Sequence, residues 1–89
     1  MSASFPRIHV LFREAAQADG YRDAANRILN AMGAFLKVDI DDMLDLANGR
    51  RPRDGRTILQ CWDRGPDVQV VVSNLRECPA VEAADVEGE

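Results

Sequence analysis

The chain has few of the residues from which metal and catalytic sites are usually built. It contains one histidine, His9, and two cysteines, Cys61 and Cys78, among 89 residues. A structural zinc site normally needs four ligands, so zinc binding is not expected. The cysteines are too few for a disulfide scaffold, and this usage fits a reducing compartment.

Catalytic sequence patterns are also absent. No GxSxG, P-loop, GxGxxG or HExxH pattern occurs. A Cys–His pair would require His9 to meet Cys61 or Cys78 in the fold, and nothing in the sequence suggests this proximity. We therefore expect a protein that is not an enzyme and uses neither a cofactor nor a metal.

Long apolar runs are missing as well. No stretch approaches the roughly 18 apolar residues needed to cross a bilayer. Residues 1–7 lack the basic start and the apolar core of a secretory signal. The sequence therefore predicts a soluble, cytoplasmic protein without a membrane contact.

The net charge of −4 is distributed unevenly. Residues 79–89 carry four acids and no base, which leaves 11 acids against 11 bases in residues 1–78. The bases are almost all arginine, with Lys37 as the only lysine. We predict a compact domain at residues 1–78 and an acidic, mobile tail at residues 79–89.

Hydrophobic spacing predicts two helices in the first third of the chain. Over residues 5–18 the apolar residues at three- and four-residue spacings, which would form one helical face, are Phe5, Ile8, Leu11, Phe12, Ala15 and Ala16. A strand over residues 7–12 is the competing interpretation, because Ile8, Val10 and Phe12 also alternate. The second helix has the clearest periodicity, with Tyr21, Ala24, Ala25, Ile28, Leu29 and Met32 on one face.

A third, short helix carries Met43, Leu44, Leu46 and Ala47. Asp39 and Asp41 are both suitable N-caps, and Asn48-Gly49 ends the helix. The aspartates around it do not form an EF-hand loop, because the glycine at the sixth position and the closing glutamate are missing. Helix capping is therefore favoured over calcium binding.

The second half of the chain has β character. Residues 49–56 read as an exposed loop with four arginines. Thr57–Trp62 and Val68–Ser73 are rich in β-branched and aromatic residues, and residues 63–67 have turn chemistry. The predicted fold is α+β, with three short helices followed by a β-hairpin that the helices must cover on one face.

This order of elements resembles that of a winged helix-turn-helix domain. In such a domain the third helix enters the major groove of DNA. Here that helix carries Asp39, Asp41, Asp42 and Asp45 and no base, so DNA would repel it. The resemblance is one of topology and extends to no sequence motif.

Three features are candidate binding sites. Asp41, Asp42 and Asp45 could present an acidic surface to a basic partner. The arginine loop, with Arg50, Arg51, Arg53 and Arg56, could contact phosphates or a protein partner, or remain solvated. Trp62 would be an interface hot spot if one face of the hairpin were open, and the same face could support a homodimer.

The preferred interpretation is a small intracellular protein-binding module without enzymatic activity. Its size, its acidity and its lack of chemistry are typical of stoichiometric inhibitors encoded by phages or mobile elements, including anti-CRISPR and other anti-defence proteins. The alternative is a winged-helix-like, nucleic-acid-binding regulator that uses the arginine loop.

Overall fold

A computed structural model of the chain describes residues 5–62 and 66–87. In chain order its elements are β1 (Arg7–Phe12), α1 (Ala18–Asn30), a 3₁₀ turn (Met32–Ala34), β2 (Phe35–Lys37), α2 (Ile40–Ala47), β3 (Arg56–Cys61), α3 (Pro66–Arg76) and β4 (Val81–Glu87). The chain is α+β, as the sequence predicted, but its strands and helices alternate.

The four strands form one antiparallel sheet in the order β2-β3-β1-β4. This order and these pairings are those of the split β-α-β-β-α-β unit, with α2 inserted between β2 and β3. β1 and β3 therefore lie side by side in the centre of the sheet, and β2 and β4 form its edges.

One face of the sheet is covered by helices and the other is open. Side chains on a strand alternate between the two faces. On the covered face Ile8, Val10, Phe12, Thr57, Leu59 and Cys61 are buried, together with Ala24, Ile28, Val72 and Leu75 of α1 and α3. On the open face Arg7, Arg56 and Ile58 are exposed, and His9 and Gln60 are half-buried. The core is thus a single layer between the sheet and its helices.

The predicted second helix is confirmed as α1. Tyr21, Ala24, Ala25 and Ile28 are buried, whereas Leu29 and Met32 are exposed. The Tyr21 hydroxyl donates to the Arg13 carbonyl at 2.5 Å, which fixes the connection between β1 and α1. Gly20 of this helix lies against Ala80, the residue before β4, because a Cβ on Gly20 would come within 3.3 Å of the Ala80 Cβ.

The predicted helix over residues 5–18 is wrong, and the competing strand is correct at β1. The reason is packing, because Ile8, Val10 and Phe12 all enter the core only when alternate residues point to one face. Residues 13–17 have no regular structure and lead into α1.

The predicted hairpin is also wrong. Its first strand is confirmed as β3, but residues 68–73 belong to α3. Val68, Val71, Val72 and Leu75 are buried at helical spacing, and Val70 is 65% exposed. Burial at this spacing outweighs the β propensity of valine. The predicted turn at residues 63–67 lies partly outside the described residues, and the hairpin face on which dimerisation was predicted is not formed.

The acidic segment predicted to be mobile contains an edge strand of the sheet. β4 pairs with β1 from Arg7↔Glu87 to Phe12↔Val81. Val81 and Ala84 are buried, and Arg76 Nε donates to the Ala84 carbonyl at 2.9 Å. The described acids of this segment, Glu82, Asp85 and Glu87, are exposed, which is why composition alone suggested disorder.

The winged-helix arrangement is therefore overturned, because β1 stands in place of its first helix, β2 separates α1 from α2, and α3 stands in place of the second strand of its hairpin. Among the described helices, none combines the length and the apolar composition needed to cross a membrane.

Candidate functional site: the surface around α2 and the edge of β3

The acidic helix forms where the sequence predicted it, because its ends are capped locally. The Asp39 carboxylate accepts a hydrogen bond from the Asp42 N–H at 3.0 Å, which makes Asp39 the N-cap. At the other end the Asn48 side-chain amide donates to the Leu44 carbonyl at 2.8 Å. Gly49 follows with a φ of 74°, a left-handed conformation that favours glycine. Asp41 lies inside the first turn and is not the cap.

The helix presents an apolar as well as an acidic outer face. Leu46 is buried, and Met43 and Asp42 are turned partly inward. Ile40 and Leu44, one turn apart, are 65% and 55% exposed. We call the exposed side formed by Ile40, Asp41 and Leu44 the outer face of α2.

Asp42 faces the sheet rather than solvent. Burial raises the pKa of its carboxyl, the Thr57 hydroxyl lowers it, and the carboxylates of Asp39, Asp45 and Asp54 raise it further. Thr57 lies near enough to influence Asp42, yet its buried Oγ1 makes no hydrogen bond of good geometry with any described residue. Asp42 is therefore a partly desolvated anion in a field of like charge.

The four arginines of the loop have different surroundings. Arg51 donates from Nε and from one guanidinium nitrogen to the Phe12 carbonyl, at 3.2 and 3.1 Å. Its guanidinium also lies over Gly55, which leaves no room for a side chain there. Arg50 pairs with Asp45 at 3.4 Å on the surface, and Arg53 is exposed. Arg51 thus holds the loop to β1 and is not available to a partner.

Arg56 lies apart from the other three arginines, because it is the first residue of β3 and projects from the open face of the sheet. Trp62 follows β3 and is 53% exposed. Its ring meets that of Phe5 edge to face, with centroids 6.5 Å apart. The aromatic side chain singled out by the sequence is thus at the surface, at the end of the sheet away from the arginine loop.

Two depressions flank the acidic side chains. One, of about 460 Å³, lies between α2 and the loop and is lined by Asp39, Asp41, Asp42, Leu44, Asp45, Arg50, Arg53 and Asp54. The other, of about 370 Å³, lies along β3 and extends from the β2 side of this strand over the open face of the sheet to Arg7 of β1. We call it the edge groove, and its lining residues are Arg7, Lys37, Val38, Asp39, Asp42, Asp54, Arg56, Thr57, Ile58 and Gln60. The predicted acidic residues therefore lie beside Arg50 and Arg53, Arg56 lines the edge groove, and Trp62 lines neither depression.

Several residues of this surface were missed by the sequence interpretation. The sequence assigned no functional role to Lys37, Thr57 or Ile58, because only the pairing of β2 with β3 places these residues beside α2. Ile40 could have been found, since it carries a large apolar side chain in the first turn of a helix whose inward-facing apolar positions are Met43 and Leu46.

His9 and the cysteines lie on opposite faces of the sheet. His9 projects from the open face, where its Nε2 is 3.2 Å from Glu87, and Arg7 Nε is 3.0 Å from the same carboxylate. Cys61 and Cys78 are buried thiols on the covered side. Cys78 donates to the Gly20 carbonyl at 3.4 Å, and burial raises the pKa of its thiol. The geometry therefore offers no pairing of His9 with either cysteine.

Within residues 5–62 and 66–87, no three histidine, cysteine, aspartate or glutamate side chains converge as a metal-binding group. No protein-family model, no curated protein and no solved structure matches this chain significantly.

Proposed function

We propose that this protein is a protein-binding module that docks the outer face of α2 against an apolar patch bordered by basic side chains. The observation that carries the proposal is the exposure of Ile40 and Leu44 on adjacent turns of an acidic helix. Burying such a side chain in an interface is worth roughly 1.5–3 kcal/mol, so two of them provide a substantial part of a binding free energy.

Charge defines the second requirement on the partner. Asp41 lies beside the two apolar side chains on the helix surface, and so does Asp45, which is half-buried and paired with Arg50. α2 contains no basic residue. A basic border on the partner would steer association and would exclude acidic surfaces.

The surroundings of the arginines favour a protein over a nucleic acid as the partner. Arg51 is held by the Phe12 carbonyl and Arg50 by Asp45. Arg56 belongs to another face, so the loop does not form a continuous basic stripe. The acidic side chains of α2 border the same depression as Arg50 and Arg53 and would repel phosphates.

A module of this kind acts by occupying the surface of its partner, and we propose that it inhibits or regulates that partner stoichiometrically. Two buried thiols are compatible with a reducing, intracellular compartment. That the partner belongs to a host defence complex stays a prediction from the sequence.

Affinity capture with matched variants tests the proposal. The immobilised protein is compared with the double variant Ile40→Ser/Leu44→Ser and with Val70→Ser, since Val70 on α3 is as exposed as Ile40. We expect the wild type and Val70→Ser to retain one partner at equal stoichiometry, and the double variant to lose it while its circular dichroism spectrum is unchanged. Retention should weaken as salt is raised, because acidic side chains contribute.

Equal capture by all three proteins would contradict the proposal, as would the absence of any stoichiometric partner. Release of the captured material by nuclease treatment would show that nucleic acid is the ligand instead.

A further inference from the structure

Among residues 5–62 and 66–87, no strand neighbours the outer edge of β3 over most of its length. β2 pairs with it only at Phe35↔Cys61 and Lys37↔Gln60, with an irregularity between the two pairs. After Lys37 the chain leaves the sheet and enters α2. The segment of β3 from residue 56 to residue 59 therefore has β1 on one side and the edge groove on the other. At roughly 3.3 Å per residue this edge is about 13 Å long.

Two backbone hydrogen bonds determine which residues of β3 bond to β1. They run from the Phe12 N–H to the Gly55 carbonyl and from the Cys61 N–H to the Pro6 carbonyl, each 2.8 Å long. In an antiparallel pair, hydrogen-bonded and non-hydrogen-bonded residues alternate. Thr57 and Leu59 therefore bond to β1, whereas the N–H and C=O groups of Arg56 and Ile58 point away from β1, toward the edge groove.

Charge divides the edge groove into two sides. Asp39, Asp42 and Asp54 line it on the side of α2. Arg7, Lys37 and Arg56 line it on the side of the open sheet face. Because the side chains of an added strand would alternate between these two sides, the groove favours a segment in which a basic residue is followed or preceded by an acidic one.

The acidic side of the groove also contains a buried hydroxyl that lies near Asp42 without forming a hydrogen bond of good geometry. Thr57 is 2% exposed, lines the groove, and its Oγ1 has no hydrogen-bond partner of good geometry among the described residues. The neighbouring Asp42 carboxylate is partly buried among like charges. A lysine ammonium has three donors and a positive charge, so one such group could satisfy both side chains.

We propose that the edge groove is a strand-addition site that takes an extended segment of a partner protein, with one lysine or arginine side chain directed between Asp42 and Thr57. This inference goes beyond the proposed function, because it uses the edge of β3 and not the outer face of α2. Main-chain hydrogen bonds to Ile58 and Arg56 provide affinity, and the alternating side chains provide specificity.

A short peptide tests the site. The acetylated and amidated peptide Thr-Val-Lys-Glu-Thr, added antiparallel to β3, places its valine opposite Ile58, its lysine opposite Thr57 and its glutamate opposite Arg56. Binding is measured by calorimetric titration and by perturbation of amide NMR signals. We expect the largest perturbations at Arg56 and Ile58.

Two changes to the peptide separate the contribution of its lysine from that of its backbone hydrogen bonds. Replacing its lysine by glutamate should weaken binding at least about tenfold, because a charge-assisted contact is lost and two like charges meet. Methylating the valine nitrogen should weaken binding as well, because that N–H is the one that would donate to the Ile58 carbonyl.

A matched pair of protein variants completes the test. Asp42→Asn should weaken binding about tenfold and at the same time raise the thermal midpoint, because it removes a carboxylate that burial and like charges disfavour. Asp67→Asn, an exposed aspartate in the first turn of α3, should change neither peptide binding nor the site of the NMR perturbations.

Three results would overturn the proposal. The first is no binding at millimolar peptide. The second is binding that survives N-methylation or Asp42→Asn undiminished. The third is concentration-dependent dimerisation in size-exclusion chromatography that perturbs the same amides, since a second copy would then occupy the edge.

Discussion

The acidic C-terminal segment provides the sharpest test of the fold. Ala83 and Ala84 are neighbours in β4, but Ala84 is 1% exposed and packs in the core, whereas Ala83 lies on the open face opposite Leu11. Replacing each of them by aspartate makes the same chemical change at two adjacent positions. A mobile tail would tolerate both variants equally, and an edge strand would not.

The expected effects follow from the burial of the two positions. An uncompensated buried charge costs about 3–5 kcal/mol. At about 0.05–0.15 kcal/mol per residue, a chain of this length has a total stability of roughly 4–13 kcal/mol. Ala84→Asp should therefore remove much or all of the cooperative transition, whereas Ala83→Asp should change stability by less than about 1 kcal/mol.

Urea denaturation followed by far-ultraviolet circular dichroism measures both variants. Acidification should partly restore Ala84→Asp relative to the wild type, because a buried carboxyl group is more easily accommodated when it is protonated. Equal stability of the two variants at neutral pH would refute the placement of β4 in the sheet.

Three further predictions concern the charged and polar contacts. The pKa of Glu87 should lie below its ordinary value in an NMR titration, because His9, with its Nε2 at 3.2 Å, and then the charge of Arg7 favour the carboxylate, and His9→Ala should raise this pKa. The contact of Glu87 with His9 and Arg7 stabilises the fold at pH values above the ordinary glutamate pKa. Its contribution is lost as the pH falls through the lowered pKa of Glu87. The pKa of Asp42 should lie above its ordinary value, and Thr57→Val should raise it further because the hydroxyl that stabilises the carboxylate is removed. Arg51→Ala should lower the free energy of unfolding by about 1.5–3 kcal/mol, measured by urea denaturation, because it leaves the Phe12 carbonyl without its charged donor.

The sequence predicted the elements in which periodicity and capping agree. α1 has apolar residues on one face of more than three turns, and α2 has a capping aspartate and a terminating Asn-Gly. β3 has two β-branched residues, Thr57 and Ile58, and lies between a glycine-containing loop and a tryptophan. In each case the local signal and the tertiary packing point to the same structure.

The errors arose where local preference and packing disagree. The valines of α3 have strand propensity, but their spacing together with Leu75 matches a helix that covers β1 and β4. β4 contains few large apolar residues. Its alanines and valines are sufficient to pack this strand only because it lies at an edge of the sheet and has one face against the helices. Neither placement can be derived without the partner strands, since the pairing of β1 with β3 and β4 joins residues that are distant in sequence.

The sequence predicted which residues belong to the candidate site but not how these residues are arranged. The acidic helix and the arginine loop are adjacent in sequence, so their proximity followed from the short connection between them. The roles of Arg51, which fastens the loop, and of Asp42, which faces Thr57, depend on contacts across the sheet. The open edge of β3 depends on the shortness of β2, which the sequence does not indicate.

The most direct test of the proposed function is site-specific photo-crosslinking from the outer face of α2. A benzophenone side chain is placed at position 44 in one sample and at position 70 in the other, since Leu44 and Val70 are both exposed but lie on α2 and α3 respectively. We predict one protein adduct at one-to-one stoichiometry from position 44, sensitive to Ile40→Ser, and none from position 70. Indistinguishable adducts from the two positions, or an adduct that contains nucleic acid, would contradict the assignment of α2 as the protein-binding surface.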